Sequence, residues 1–507
     1  MTGRFHAMPF GAQAEGDDRV RFRLWAPDAG RVELLLDDAP AQPMTLRDGW
    51  AELAVRAAIG ARYAFRIDGE QVVPDPASRA QAGDVSDRSV VVDPRAYDWR
   101  DGEWRGRPWH ETVLLEVHAG VLGGFAGVRE RLVGWRDIGI TAIELMPVAE
   151  FVGARNWGYD GVLPFAVESS YGGPDALKRL VDEAHSLGLM VFLDVVYNHF
   201  GPEGNFLPVY ARRFFRGDAA TPWGQAIAFD LPEVREFFIE NACYWIEELH
   251  LDGLRFDAVH AIRDRAFLEQ LASRVRTTAG DRHVHLVLEN DDNEAPLLRT
   301  AYDAQWNDDW HHAMHVLLTR EREGYYGDYA DAPARHLARC FAEGFAWQGE
   351  PSAHRDGARR GTPSGALPPT AFVCFLQNHD QVGNRAFGER LATLADPDAL
   401  RAAQVALLLA PHVPLLFLGE ECGAREPFLY FTDHPPALGD AVREGRRREF
   451  ARFAAFADEC ARESIPDPND ESTFERSRPS HTGDTAFVRE LLATRRREIS
   501  PRLVGAR

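Results

Sequence analysis

From Val113 onward the sequence alternates short apolar runs with stretches of helical period, and this alternation constrains the fold more than any other feature. The runs are Val113 to Val117, Ala142 to Met146, Met190 to Val196, Gly253 to Phe256, Val284 to Leu288, a weak one near Tyr302 to Trp306, Phe372 to Leu376, and Pro414 to Leu418. Helical patterns lie between them at Pro174 to Leu187, Leu231 to Leu249, Arg263 to Thr277 and Pro397 to Leu409. Runs this short and this uniformly apolar need cover on both faces, as the strands of a parallel sheet wrapped in helices have it. Eight of them close naturally as an α/β fold, the TIM (β/α)8 barrel. A barrel of that kind directs the carboxyl ends of its strands into one axial pocket, so polar residues at those ends are the candidates for chemistry.

The first hundred residues have a different period. Val20 to Ala26 alternates, Arg31 to Leu36 follows the turn Pro27 to Gly30, and Arg62 to Ile67 precedes Asp68-Gly69. These signals predict an N-terminal β-sandwich over residues 1–94, which reads equally well as a scaffold without ligand and as a carbohydrate-module-like, sugar-binding domain. A turn-rich linker is expected over 95–110 and the catalytic barrel with inserted loops over 111–507.

Four strand ends carry polar residues. They are Asp194 to His199, Arg255 with Asp257, Glu289, and Asn378-His379-Asp380. Arg255 stands two residues before Asp257 and so shares its side of the strand, where it can hold that carboxylate ionised, as a nucleophile must be. Any one of these ends alone reads as a cap or a structural ion pair. Together, converging carboxylates repel one another and cost stability unless they are used.

In order and in residue type, Asp194 to His199, Gly253 to Asp257, Glu289 and Asn378 to Asp380 resemble the signature regions of the α-amylase family of glycoside hydrolases, family 13. That resemblance implies a retaining glycosidase in which Asp257 is the nucleophile, Glu289 the general acid/base, and Asp380 a third carboxylate that holds substrate hydroxyls. It further implies sugar contacts from His199, Asn378 and His379; where many relatives have a lysine and a histidine this chain has His260-Ala261, so the substrate contact of His260 beyond the cleaved bond is expected to differ, in keeping with a trehalose-accepting site. In the segment Asn156 to Gly161, Tyr159 is the expected stacking ring. The negative charge of Asp291 and Asp292, beside Asn290, is expected to raise the Glu289 pKa. Gly201 to Asn205, Thr221 to Gly224, Gln305 to His312, Phe431 to His434 and Glu444 to Phe450 look like trehalose-releasing members of the family. They imply cleavage of the α-1,4 bond beside the terminal trehalose of a malto-oligosyltrehalose or a related α-glucan. The alternative is a glycogen branching or debranching enzyme of the same family. Relatives generally continue into a C-terminal β-domain; this chain stops at Arg507, soon after the helical pattern Ala486 to Arg497, so that domain is expected to be absent.

Composition narrows the partners. The net charge of -21 disfavours nucleic acid, whose phosphates require a clustered basic surface. No apolar run reaches membrane-spanning length and the N-terminus lacks a leader pattern, so a cytoplasmic protein without a membrane partner is expected. The five cysteines are scattered without metal-ligand spacing, and Asn198 has no clear companion oxygen ligands; no cofactor and no required metal are expected. Lys178, the one lysine, and the cluster Arg446 to Arg448 are both expected on solvated helix faces. Asp328, Asp331 and Gly349 to Pro369 read as loops over the pocket rim.

Overall fold

The structure is a computed structural model that describes residues 4–16, 18–221 and 224–505. Of the segment Thr221 to Gly224, Pro222 and Trp223 lie outside the described residues.

The N-terminal residues form two antiparallel sheets. In one, Gly11–Gly16, Arg19–Trp25, Trp50–Arg56 and Thr45–Arg47 lie side by side; in the other, Gln42–Pro43, Val32–Leu36, Arg62–Ile67 and Gln71–Val73 do, with Ser89–Val90 also paired to Arg62–Ile67. The alternation seen in the sequence is the alternation of faces: Val20, Phe22 and Leu24 are buried while Arg19, Arg21 and Arg23 are not. Phe22 and Leu24 pair across to Leu53 and Ala51.

Eight strands close the barrel in sequence order. They are β1 (Leu114–Val117), β2 (Ala142–Leu145), β3 (Met190–Val195), β4 (Gly253–Phe256), β5 (His285–Leu288), β6 (Ala304–Trp306), β7 (Phe372–Phe375) and β8 (Val413–Phe417). All neighbours are parallel, and β8 returns to β1 with Leu415 beside Leu114. Helices Gly173–Ser186, Pro232–Glu247, Arg265–Ala279, Asp308–Thr319, Pro397–Leu408 and Ala486–Thr494 follow β2, β3, β4, β6, β7 and β8. Pro174, Pro232 and Pro397 open three of them, where a missing N–H is harmless, and Asp264 caps a fourth by accepting from Phe267 N–H. Between β5 and β6 the described residues hold only a 3-10 turn, Leu297–Arg299.

Along alternate strand positions the barrel passes from apolar to ionisable as it rises. Leu114 gives way to Glu116, Ala142 to Glu144, Phe192 to Asp194, and Gly253 to Arg255 and then Asp257. At Gly253 the packing admits no side chain, since a Cβ there would lie 2.1 Å from Cε1 of Phe192. The lower layers are a dry plug of Leu114, Met190, Phe192, Val287, Val373 and Leu415; the upper layer is the site.

Two sets of contacts fasten the remainder to the barrel. Arg79 donates to Glu248 at 2.9 Å, both buried, and His6 reaches Glu240 at 2.8 Å and Glu247 at 3.0 Å. Below the barrel, residues 95–110 pack closely: Asp101 accepts from His185 and His250, each at 2.8 Å, while Trp104 stacks on His185 and Trp99 on His250. Two sequence expectations fail here. Lys178 is buried 4.0 Å from Glu248, which ends the helix Pro232–Glu247, and among the charges of Asp175, Arg79 and Asp93. Arg446 is also buried, donating to the carbonyls of Gly383 and Arg385 beside Tyr430 and Phe450; of its cluster only Arg448 is exposed.

Candidate active site

The upper mouth of the barrel is a cleft of about 560 Å³. Of the residues expected to act on or hold substrate, Asp257, Glu289, Asp380, Tyr159, His199, His260, Asn378 and His379 line it, while Asp194, Asn198 and Arg255 do not. Arg255 lies beneath, fully buried, so it organises the carboxyls and has no face toward a ligand. Its Nη1 donates to Asp194 at 2.6 Å and to Asp257 at 2.9 Å, its Nη2 stands 3.2 Å from Glu289, and its plane rests 4.2 Å from the centre of the Trp306 ring.

Asp257 leaves β4 at a turn that the next residue makes possible. Ala258 adopts a left-handed backbone (φ 40°), a strained conformation for alanine, and its N–H donates to Glu289 at 2.6 Å. The two carboxyls are thus tied through one guanidinium and one backbone amide. The other oxygen of Asp257 accepts from Asn198 Nδ2 at 2.6 Å, which commits the Asn198 amide to this carboxylate. Burial acts to raise the Asp257 pKa, but Arg255, His199 and Asn198 outweigh it and hold the carboxyl below its ordinary value. Glu289 moves the other way, well above the usual carboxylate range. Burial is the main cause, and Asp257, Asp380 and Asp308 add to it against Arg255. The expected source of charge was different: Asp291 and Asp292 are neutralised by Arg355, and Asp291 also by Arg360 at 3.1 Å.

Tyr159 is placed by a hairpin after β2, Ala149–Glu150 paired with Leu163–Val167. Gly158 (φ 103°) makes the turn, and a Cβ there would meet Pro147 O at 2.2 Å. The Tyr159 hydroxyl donates to Asp194 at 2.5 Å, and its ring stacks on His379 with centroids 4.9 Å apart. Burial raises Asp194 to about 6 in spite of Arg255. Burial opposes charge on His379, but Asp380 and Glu116 lift its pKa to about 9, with Glu116 Oε1 2.5 Å from Nδ1. His199 Nε2 lies 3.0 Å from Tyr159 O, and burial lowers its pKa. Asn378 Oδ1 caps the turn 379–383 by accepting from Gln381 N–H at 2.8 Å. Asp380 is the open member of the set, with 38% of its side chain exposed against 13% for Asp257 and 18% for Glu289.

The far wall comes largely from two stretches singled out in the sequence, Gln305 to His312 and the rim loop Gly349 to Pro369, to whose individual side chains the sequence assigns no role. Asp308, His312, Tyr325, His354, Arg355 and Arg360 line it. Asp308 is raised to about 7, mainly by burial and then by Asp291. The available signal was the dense polar-aromatic segment Gln305 to His312, together with paired arginines inside a Gly/Pro-rich rim loop.

Comparison with known proteins agrees with this geometry. Residues 80–211 match the α-amylase catalytic domain, and residues 9–96 match carbohydrate-binding module 48, the isoamylase N-terminal domain. A protein of Arthrobacter ramosus named malto-oligosyltrehalose trehalohydrolase is 41% identical across 94% of this chain and 87% of its own length. One of the same name from Saccharolobus solfataricus is 42% identical across 87% of this chain and 80% of its own. A 1.4 Å crystal structure of a Salmonella typhimurium protein named for α-amylase superposes with a TM-score of 0.94 at 46% identity, covering 98% of this chain and 87% of that one. With its barrel, its carboxyl cluster and relatives of this closeness, the chain belongs to the malto-oligosyltrehalose trehalohydrolases, a family carrying the α-amylase catalytic domain.

Proposed function

We propose that the chain cleaves the α-1,4-glucosidic bond beside the terminal trehalose of a malto-oligosyltrehalose, with retention at the anomeric carbon, and releases trehalose. The observation that carries the chemistry is the pair Asp257 and Glu289: two carboxyls on one guanidinium, pushed in opposite directions, one toward the anion and the other toward the acid. Asp257 attacks the anomeric carbon and forms the glycosyl ester, while Glu289 gives its proton to the leaving oxygen, which departs as a hydroxyl of trehalose. Water then enters. Glu289, now anionic, takes its proton, the hydroxide adds to the anomeric carbon, and the ester bond to Asp257 breaks. A shared guanidinium and the Ala258 amide favour the short carboxyl separation of about 5 to 5.5 Å that retaining chemistry requires. Asp380, the most open carboxylate, holds substrate hydroxyls and offsets the positive charge of the oxocarbenium-like transition state. Tyr159 offers a ring held rigid by Asp194 and His379, and His199, His260, Asn378 and His379 supply polar contacts along the cleft. The trehalose preference rests on membership of the family.

Maltotriosyltrehalose, maltopentaose and glycogen, each incubated with the protein and with Asp257→Asn, test the reading. Trehalose released from the first substrate alone, absent with the variant, and a maltotriose product first formed as the α-anomer support it. A β-anomer excludes retention, and new branch points from glycogen without trehalose release overturn the specificity.

A further inference from the structure

Outside the cleft, the turn after β8 carries a mixed set of donors. One carboxylate oxygen of Glu421, the Cys422 sulfur and a ring nitrogen of His481 lie within 4.8 Å of one another. Glu421 and Cys422 belong to the 3-10 turn Glu420–Cys422, and His481 comes from the segment between Glu471–Arg476 and Ala486–Thr494. Two of these groups have unspent capacity. Glu421 is 2% exposed, and its Oε2 is buried with no hydrogen-bond partner; Nε2 of His481 is likewise buried without one. His481 Nδ1 stands 3.8 Å from Glu421 Oε1, too far for a hydrogen bond, while that Oε1 accepts from Trp135 Nε1 at 3.2 Å. Polar atoms buried in this way are normally satisfied, and here both belong to residues whose donor atoms cluster with the Cys422 sulfur.

We propose that Glu421, Cys422 and His481 bind a divalent ion of the zinc class. Carboxylate oxygen, thiolate and imidazole are the donors that zinc takes, at about 2.0 to 2.3 Å. A tetrahedral ion at those lengths sets its ligands about 3.5 Å apart, so the three groups need close only slightly. Water fills the fourth position on the side where His481 is 20% exposed. Without the ion, the Cys422 thiol donates to the carbonyl of Gly419 at 3.4 Å. Binding therefore exchanges one thiol proton for one metal–sulfur bond. The neighbouring cation, Arg390, is turned to the carbonyls of Leu418 and Glu426. The ion ties the segment around His481 to the end of β8, and it is separate from the catalytic carboxyls.

The test uses the full chain, stripped by chelator and titrated with Co²⁺ and then Zn²⁺. Expected are one equivalent of Co²⁺ with a thiolate-to-cobalt charge-transfer band, displacement by Zn²⁺, and a melting temperature raised by Zn²⁺. Above about pH 7, where imidazole is ordinarily neutral, affinity falls about tenfold for each pH unit lost, as release of the one thiol proton requires. Cys422→Ser abolishes the band, and His481→Ala weakens binding at least about tenfold. Cys460→Ser, which removes an exposed thiol, leaves both unchanged. Trehalose release by the Cys422 and His481 variants reports that they are folded. Absence of the band, or a band that survives Cys422→Ser, overturns the proposal.

Discussion

Replacing Arg255 by methionine probes the electrostatics most directly, because that one side chain serves Asp194, Asp257 and Glu289 at 2.6, 2.9 and 3.2 Å. With charge centres about 4 Å apart, one such pair is worth about 4 kcal/mol at an effective dielectric of about 20. A pH unit corresponds to about 1.36 kcal/mol, so removal of the cation moves the acidic limb of kcat/KM upward by at most about three pH units, and by about one to three once relaxation is allowed for. Methionine fills much of the volume, so the stability loss comes mainly from three packed carboxyls without their cation, about 3 to 5 kcal/mol. The pH dependence of stability also changes sign. In the parent, Asp257 titrates below its ordinary value; its contribution is complete above the unfolded carboxyl range and is lost as pH falls through the folded value. In the variant it titrates above that range, so stability is greatest in acid and declines as pH rises. Initial rates of trehalose release across about pH 4 to 9, with melting temperatures in the same buffers, measure both effects. A folded variant whose acidic limb stays in place refutes the role given to Arg255.

Four further outcomes follow from the same geometry. Glu289→Gln lowers kcat on malto-oligosyltrehalose by about 10²- to 10⁴-fold and removes the basic limb of the rate profile; a limb that persists assigns it to another group. Tyr159→Phe keeps the ring and loses the bond to Asp194, so it destabilises by about 1.5 to 3 kcal/mol with KM little changed, whereas Tyr159→Leu raises KM about five- to tenfold. Equal KM values for the two would place the effect in the hydroxyl. His379 is raised to about 9 by Asp380 and Glu116 against burial, so its contribution is complete below about 6.5 and is lost as pH rises through about 9. The melting temperature should decline over that window, and Glu116→Gln should flatten the decline; an unchanged slope would place the proton elsewhere. Arg79→Met strands Glu248 beside Lys178 and costs about 3 to 5 kcal/mol by denaturant titration, while a loss under about 1 kcal/mol would show that water reaches Glu248.

The barrel was readable because its information is local. Each strand run shows a buried face in a few residues, and the period of two that puts Arg255 and Asp257 on one side of β4 also carries Phe192 to Asp194 and Ala142 to Glu144. The catalytic candidates were readable for the same reason, since strand ends converge by topology. Environments built from distant chain were not readable. Lys178 belongs to a helix with an ordinary polar face, and only the fold brings Glu248 to it. Arg446 sits among acids in the sequence but ends on the carbonyls of 383 and 385. The acidity of Glu289 answers to burial, Asp257, Asp380 and Asp308, none of which adjoins it in the chain. The arginines of the far wall, Arg355 and Arg360, came from a rim loop whose composition says only that it turns.

The seam between the sandwich and the barrel has a consequence for how the protein can be taken apart. Arg79 reaches from one unit into the other and is consumed there by Glu248, with His6 clasping the same helix and Asp101 clipped between His185 and His250 underneath. The sandwich is therefore pinned to the barrel as on a jig. An engineer who cuts between residues 94 and 95 uncovers a charged socket. Grafting this sandwich onto another barrel requires bringing the Glu248 helix along with it.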